Sequence, residues 1–105
     1  MIRHVVMWRL RGPSPDDKRR QGERVQRALE SLLGVVPGMS SLEVGVAGAG
    51  DEHGADVVLI STHDDWEALA AYQKHPAHLE VARLIAEFKT ERRVLDFEVT
   101  ERDSS

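Results

Sequence analysis

The chain has 105 residues, 41% of them hydrophobic and 30% charged, with a formal net charge of -4 and no cysteine. That is one globular domain's worth of sequence, too apolar for a disordered chain and too acidic for a nucleic-acid binder, which needs a basic face to displace counterions. The missing cysteines exclude disulfides, thiolate nucleophiles and Cys-ligated zinc or iron–sulfur sites.

Ile2 to Leu10 alternates in character and predicts a strand. Strand side chains alternate between faces, so Ile2, His4, Val6, Trp8 and Leu10 share one face, with Val5 and Met7 on the other. Gly12-Pro13 stops the strand, and Ser14-Pro15-Asp16-Asp17 starts a helix with a serine cap, a proline at its first position and acids in its first turn. Val25, Ala28, Leu29, Leu32 and Leu33 form its apolar stripe, and Gly34 is placed to end it. Gly22 sits in this helix at a cost of about 1 kcal/mol relative to alanine.

Pro37-Gly38 turns the chain into a strand over Leu42 to Ala47, and Gly48 to Gly54 reads as a loop. A strand over Asp56 to Thr62 follows, then a helix capped by Asp64-Asp65 and carrying Trp66, Leu69, Ala70 and Tyr72. His75-Pro76 interrupts it, because proline lacks an amide donor and crowds the preceding turn. A second helical stretch uses Leu79, Val81, Ala82, Leu84, Ile85 and Phe88 as its apolar side, and Arg92 to Val99 is the last strand. Residues 1–100 are thus expected to form the domain and 101–105 a disordered tail.

This βαββαβ order predicts an α+β, ferredoxin-like fold: a four-stranded antiparallel sheet with two helices on one face. Valine and leucine fall on both sides of the strands, so the second sheet face needs a cover, for which another copy of the chain is the simplest choice. Val58 is expected on that face. The longest apolar runs are far below the ~18 residues of a membrane span. The start, Met1-Ile2-Arg3-His4, has neither the basic segment nor the apolar core of a secretory signal, so a cytoplasmic protein is expected.

The opening Met1-Ile2-Arg3-His4-Val5-Val6, the Pro37-Gly38 turn, the Tyr72-Gln73-Lys74-His75-Pro76-Ala77-His78 run and the closing Val94-Leu95-Asp96-Phe97-Glu98 resemble the stress-responsive dimeric α/β-barrel family over about Ile2 to Val99. The resemblance implies a homodimer whose two sheets face each other as a barrel. It implies less about activity, since most members have no established reaction. Olivetolic-acid-forming polyketide cyclases of the family close poly-β-keto thioesters by aldol condensation without cofactor or metal. They rely on residues matching Tyr72, His78 and His4, and have a histidine where this chain has Asp56.

The residues themselves fit acid/base chemistry. His78 could remove a proton from carbon next to a carbonyl, and Tyr72 could donate to the oxygen as charge develops. Six residues apart, they would not align on a straight helix; the break at Pro76 could bring them together. Equally, His75 and His78 could be structural polar residues of a first helical turn, and Tyr72 a packed ring with a hydrated hydroxyl. His4 reads either as a hydrogen-bonded core histidine or as pocket lining. Asp56 could orient His4 or His78, or cap a loop. His75-x-x-His78 gives two ligands where zinc takes three or four protein ligands or keeps an open position, so no metal is expected. Gly45, Gly48 and Gly50 make no phosphate loop, so no nucleotide cofactor is expected either. His53 and His63 are expected to be solvated. Three functions stand open: a cofactor-free acid/base enzyme on a small carbonyl compound, with His75 and Trp8 also lining the site; a non-catalytic stress or binding protein; and a cofactor-free monooxygenase of aromatics, its pocket bounded by Trp8 and Trp66.

Overall fold

The expected alternation places five residues of β1 (Ile2–Leu10) on one side of the sheet, and all five are buried there: Ile2, His4, Val6, Trp8 and Leu10. The computed structural model describes residues 1–48 and 54–100. His53, most of the glycine-rich loop and the 101–105 tail lie outside the described residues. After β1 come α1 (Pro15–Glu30), β2 (Met39–Val46), β3 (Val57–His63), α2 (Trp66–Lys74), α3 (Pro76–Phe88) and β4 (Lys89–Glu98). The strands pair antiparallel in the order β2-β3-β1-β4, which is the ferredoxin-like arrangement expected from the element order. Among the described residues no helix is long and apolar enough to cross a membrane.

Ser14 caps α1 by accepting from the Asp17 amide at 3.1 Å, and Pro15 opens it. Val25 and Leu29 face the sheet and are buried with Leu32. Burying such side chains stabilises the fold by about 1.5–3 kcal/mol each. The helix stops at Glu30, earlier than Gly34, and the chain continues in tight turns to Gly34 at φ 86°. That change of path turns Leu33 outward, 50% exposed, where an unbroken stripe would have buried it. Gly38, at φ 80°, makes the turn into β2, and a side chain there would meet Ala68.

Strand ends differ from the sequence expectation by a few residues. β2 and β3 extend to the Met39–His63 pair past an irregularity at Met39/Ser41. β4 begins at Lys89 because Lys89 pairs with Leu10 beyond a bulge. Asp56 ties this same end of the sheet: its amide donates to the Trp8 carbonyl at 2.8 Å and its carboxylate accepts from the Leu10 amide at 2.7 Å.

The register assigns the far face of the sheet to Val5, Met7, Val58, Ile60, Leu95 and Phe97. No helix covers it. Met7 is 43% and Leu95 62% exposed, so an apolar strip lies open within one protomer.

Two stability outcomes follow from these contacts. A Cβ at Gly22 would lie 2.8 Å from Val46 Cγ1, so α1 approaches β2 through the missing side chain. Gly22→Ala gains about 1 kcal/mol of helix propensity but overpacks a site where such insertions cost about 1–3 kcal/mol. Urea unfolding should therefore show a net loss, and a gain would refute the close-approach reading. Asp56→Ala strands the buried Leu10 amide and should cost about 1–3 kcal/mol in the same assay, with Asp56→Asn recovering part of it.

Candidate functional site

Four elements bring one set of rings together between the sheet and the helices. β1 and β3 contribute His4 and His63 from their buried faces; α2 contributes Tyr72 and α3 contributes His78. The Tyr72 ring centroid lies 4.5 Å from that of His78, 4.8 Å from His63 and 5.9 Å from His4. Pro76 makes this possible. α2 stops at Lys74, His75 is extended at φ -64°, ψ 136°, and α3 restarts in a new direction. A straight helix turning about 100° per residue would put residues 72 and 78 on different sides.

Tyr72, His78, His4 and Trp8 line one cavity of about 240 Å³, floored by Val6 and Leu59. The cavity lies between the sheet and α3, and its lining includes two exposed residues of β4, Lys89 and Arg92. Among the described residues no group of three or more His, Asp or Glu side chains is arranged to hold a metal ion.

Hydrogen bonds fix the proton positions on two of the histidines. His78 Nδ1 lies 3.1 Å from the Gln73 carbonyl, which can only accept, so Nδ1 carries the proton and Nε2 keeps its lone pair. The His4 Nδ1–H donates to the Asp96 carboxylate, an ion-pair contact if His4 is protonated, leaving its Nε2 as the acceptor in the neutral ring. The β1–β4 register sets this pair, because Asp96 is the residue directly beside His4. Ser61 Oγ lies 2.9 Å from His63 Nε2. Two buried polar atoms of the cluster, the Tyr72 hydroxyl and His63 Nδ1, have no hydrogen-bond partner among the described residues.

Burial dominates the electrostatics. It pushes the Tyr72 phenol up to about 12, against an opposite pull from the Arg92 charge. Burial lowers His78 below the ordinary histidine value; its bond to Gln73 opposes this, and the charges of His4, Arg92 and His75 add to it. His63 is lowered too, by burial first and then by His4, against the carboxylates of Asp96 and Asp64. At neutral pH His63 and His78 are therefore neutral imidazoles and Tyr72 a protonated phenol.

Of the residues singled out in the sequence, Tyr72, His78, His4 and Trp8 meet at this cavity, and two do not. His75 Nδ1 accepts from the Ala77 amide at 3.1 Å and caps α3. Asp56 is spent on the Leu10 amide near the far end of β1, so it orients neither histidine. His63, expected to be solvated, is fully buried against Tyr72, because the strand runs one residue further and its parity matches that of Ser61 and Leu59. Trp66 is 53% exposed at the start of α2 and bounds no part of the cavity. Asp96, Lys89 and Arg92 were missed as site residues. The period-two pattern of the last strand puts Arg92, Val94 and Asp96 on one face, but only the register shows that this face is the histidine side.

Comparison with known proteins follows the fold. A dimeric protein of unknown function with a ferredoxin-like fold from Bacteroides fragilis superposes with a TM-score of 0.82 at 25% identity, over 93% of this chain and 95% of that one. A dimeric ferredoxin-like protein of unknown function from Thermobifida fusca gives 0.78 at 26%, over 93% and 90%. The hydroxynitrile lyase of Passiflora edulis gives 0.76 at 18%, over 97% and 95%, a likeness of fold alone. No curated protein matches the sequence. The sequence profile of the stress-responsive A/B barrel domain matches residues 2–99, and the chain belongs to that family.

Proposed function

We propose that this protein is a cofactor-free acid/base enzyme acting on a small carbonyl compound, with His78 as base and Tyr72 as oxygen-side donor. The observation that carries this reading is the convergence of Tyr72 and His78, six residues apart across a helix break, on one open cavity. His78 Nε2 removes a proton from carbon next to a carbonyl, and the Tyr72 O–H donates to the enolate oxygen. In an aldol closure of the kind the family's polyketide cyclases perform, that carbon bonds to a second carbonyl carbon of the same substrate. The new alkoxide then recovers the proton from His78. His4, held by Asp96, is a further donor or acceptor along the same wall. The cavity weighs against a purely structural role, and the exposed Trp66 leaves Trp8 alone of the two tryptophans that would bound a monooxygenase pocket.

The protein is further read as a homodimer through the open sheet face. Uncovered Met7, Leu95 and Phe97 support this, as do the dimeric neighbours of the same fold. Val58→Asp, on that face by register, should convert a sedimenting dimer to monomer. A monomeric wild type would remove the dimer from the proposal.

Loss of carbon-bound proton signals from 1,3-dicarbonyl compounds in D2O, followed by NMR, tests the chemistry. His78→Ala should lower enzyme-promoted exchange by about 10²–10⁴-fold, and Tyr72→Phe by about 10²–10³-fold. Tyr72→Phe should leave thermal stability unchanged or raised, since it removes a buried hydroxyl whose desolvation costs about 1–3 kcal/mol. Equal exchange in wild type and both variants would refute the assignment. The pH profile should have one acid limb. His78 must be neutral to act and its pKa is lowered, so the rate holds at pH 7 and falls only below the ordinary histidine value of 6.5. Tyr72, at about 12, adds no alkaline limb in the working range.

A further inference from the structure

The cavity mouth differs in charge from the rest of the chain. Asp and Glu outnumber Lys and Arg by 18 to 14, yet the cavity lining holds Lys89 and Arg92 and no carboxylate. Both cations come from the first residues of β4, Lys89-Thr90-Glu91-Arg92-Arg93. Strict alternation would put residues 89 and 92 on opposite faces of a strand. The bulge prevents that. Arg9 pairs with Glu91 and Leu10 with Lys89, so Thr90 is the extra residue and the face of Lys89 flips to join Arg92 on the helix side. Thr90 Oγ1 lies 3.4 Å from the Arg9 carbonyl at the bulge.

The same bulge sorts the charges. On the opposite face, Glu91 lies 3.4 Å from Arg9 and 3.6 Å from Arg93, so the cations there share a carboxylate. Lys89 and Arg92 make no ion pair among the described residues. Of the acids on their own face, Asp96 is engaged with His4, and Glu98 stands at the far end of the strand beside Ile2. Arg92 stands beside Trp8 in the register and lines the same cavity as Tyr72 and His78, on both of which its charge acts.

We propose that Lys89 and Arg92 form an anion-binding rim that selects a substrate bearing a carboxylate near its reactive carbonyl, a small oxo acid. This rests on the acid/base reading of the same site and names its substrate class. The cavity, at about 240 Å³, sits below the usual range for drug-sized ligands of about 300–1,000 Å³. It therefore suits a compact oxo acid whose carboxylate stays at the rim while its carbonyl reaches Tyr72. Two fixed cations also favour the enolate over the neutral ketone, because negative charge grows within their field.

The test uses acetoacetate, its neutral methyl ester and inorganic phosphate on the full chain, with binding read from NMR shifts of the protein and reaction from loss of the carbon-bound proton signal in D2O. Wild type should bind acetoacetate at least about tenfold more tightly than the ester, with the preference shrinking as salt rises. Arg92→Gln and Lys89→Gln, both at exposed side chains, should fold normally and each reduce that preference, and the double variant should abolish it. His78→Ala should keep the preference and lose the exchange. Equal binding of acid and ester, or a preference untouched in the double variant, overturns the rim, whatever the exchange shows. Phosphate bound as tightly as acetoacetate overturns the carboxylate assignment and points to a phosphate-bearing carrier. An intact preference with no exchange in wild type leaves the rim standing and defeats the acid/base reading alone.

Discussion

Pro76 has no amide hydrogen, so the Tyr72 carbonyl, which residue 76 would serve in a continuous helix, accepts instead from the His75 amide at 3.1 Å. From that one missing donor comes the bend between α2 and α3, with His75 closing one helix and capping the next. The bend swings the first turn of α3 back over the end of α2 and sets the His78 ring against Tyr72. It also carries α3 across the sheet so that Val81 and Ile85 roof the cavity above Val6 and Leu59. An unbroken helix would have buried one of the two polar rings against apolar neighbours and turned the other to solvent. The cavity and its pair of rings thus have a single cause.

Around that pair the protein accepts costs that a purely structural core would avoid. A buried Tyr72 hydroxyl and a buried His63 nitrogen without partners each cost about 1–3 kcal/mol. Phenylalanine and leucine would pack the same space without that penalty. The compensation comes from the apolar core, where Val25, Leu29 and Leu32 are buried in one cluster with Ile2, Val6 and Leu59. Local inconsistency of this kind, inside an otherwise consistent fold, is where function is expected to sit. Burial at the same time keeps His63 and His78 neutral and the Tyr72 phenol protonated; a neutral His78 and a protonated Tyr72 are what proton abstraction and oxygen-side donation require.

Most of the fold was legible because it depends on local chemistry. The Ser14-Pro15 cap, the parity of β1, the Gly38 turn and the break at Pro76 each follow from a residue and its neighbours. The central part of the site was legible for the same reason, since the helix break and the histidine on β1 are both local features. What escaped depends on pairing between distant strands. His63 has the parity of Leu59 and Ser61, but it reads as a strand end until the Ile2–His63 pair shows the strand continuing. Asp96 was visible in the closing motif, yet only the β1–β4 register makes it the partner of His4 and frees Asp56 from that role. Trp66 and Leu33 were misjudged because a periodic pattern says which residues are apolar, not where the helix begins or stops.

The bulge at Thr90 illustrates why the most specific features are the hardest to foresee. One residue inserted in an edge strand changes no composition and leaves every hydrophobic pattern intact. It nevertheless decides whether Lys89 joins Glu91 on the outer face or Arg92 at the cavity. β4 can bear such an irregularity because it is bonded to a neighbour on one side only, and bulges concentrate at such edges. The same strand supplies Asp96 to His4 farther along, so one edge strand sets both the proton position on a pocket histidine and the charge of the pocket mouth. The central strands and the broken helix fix the rings in place, and the edge strand, freer to vary, adjusts what those rings meet.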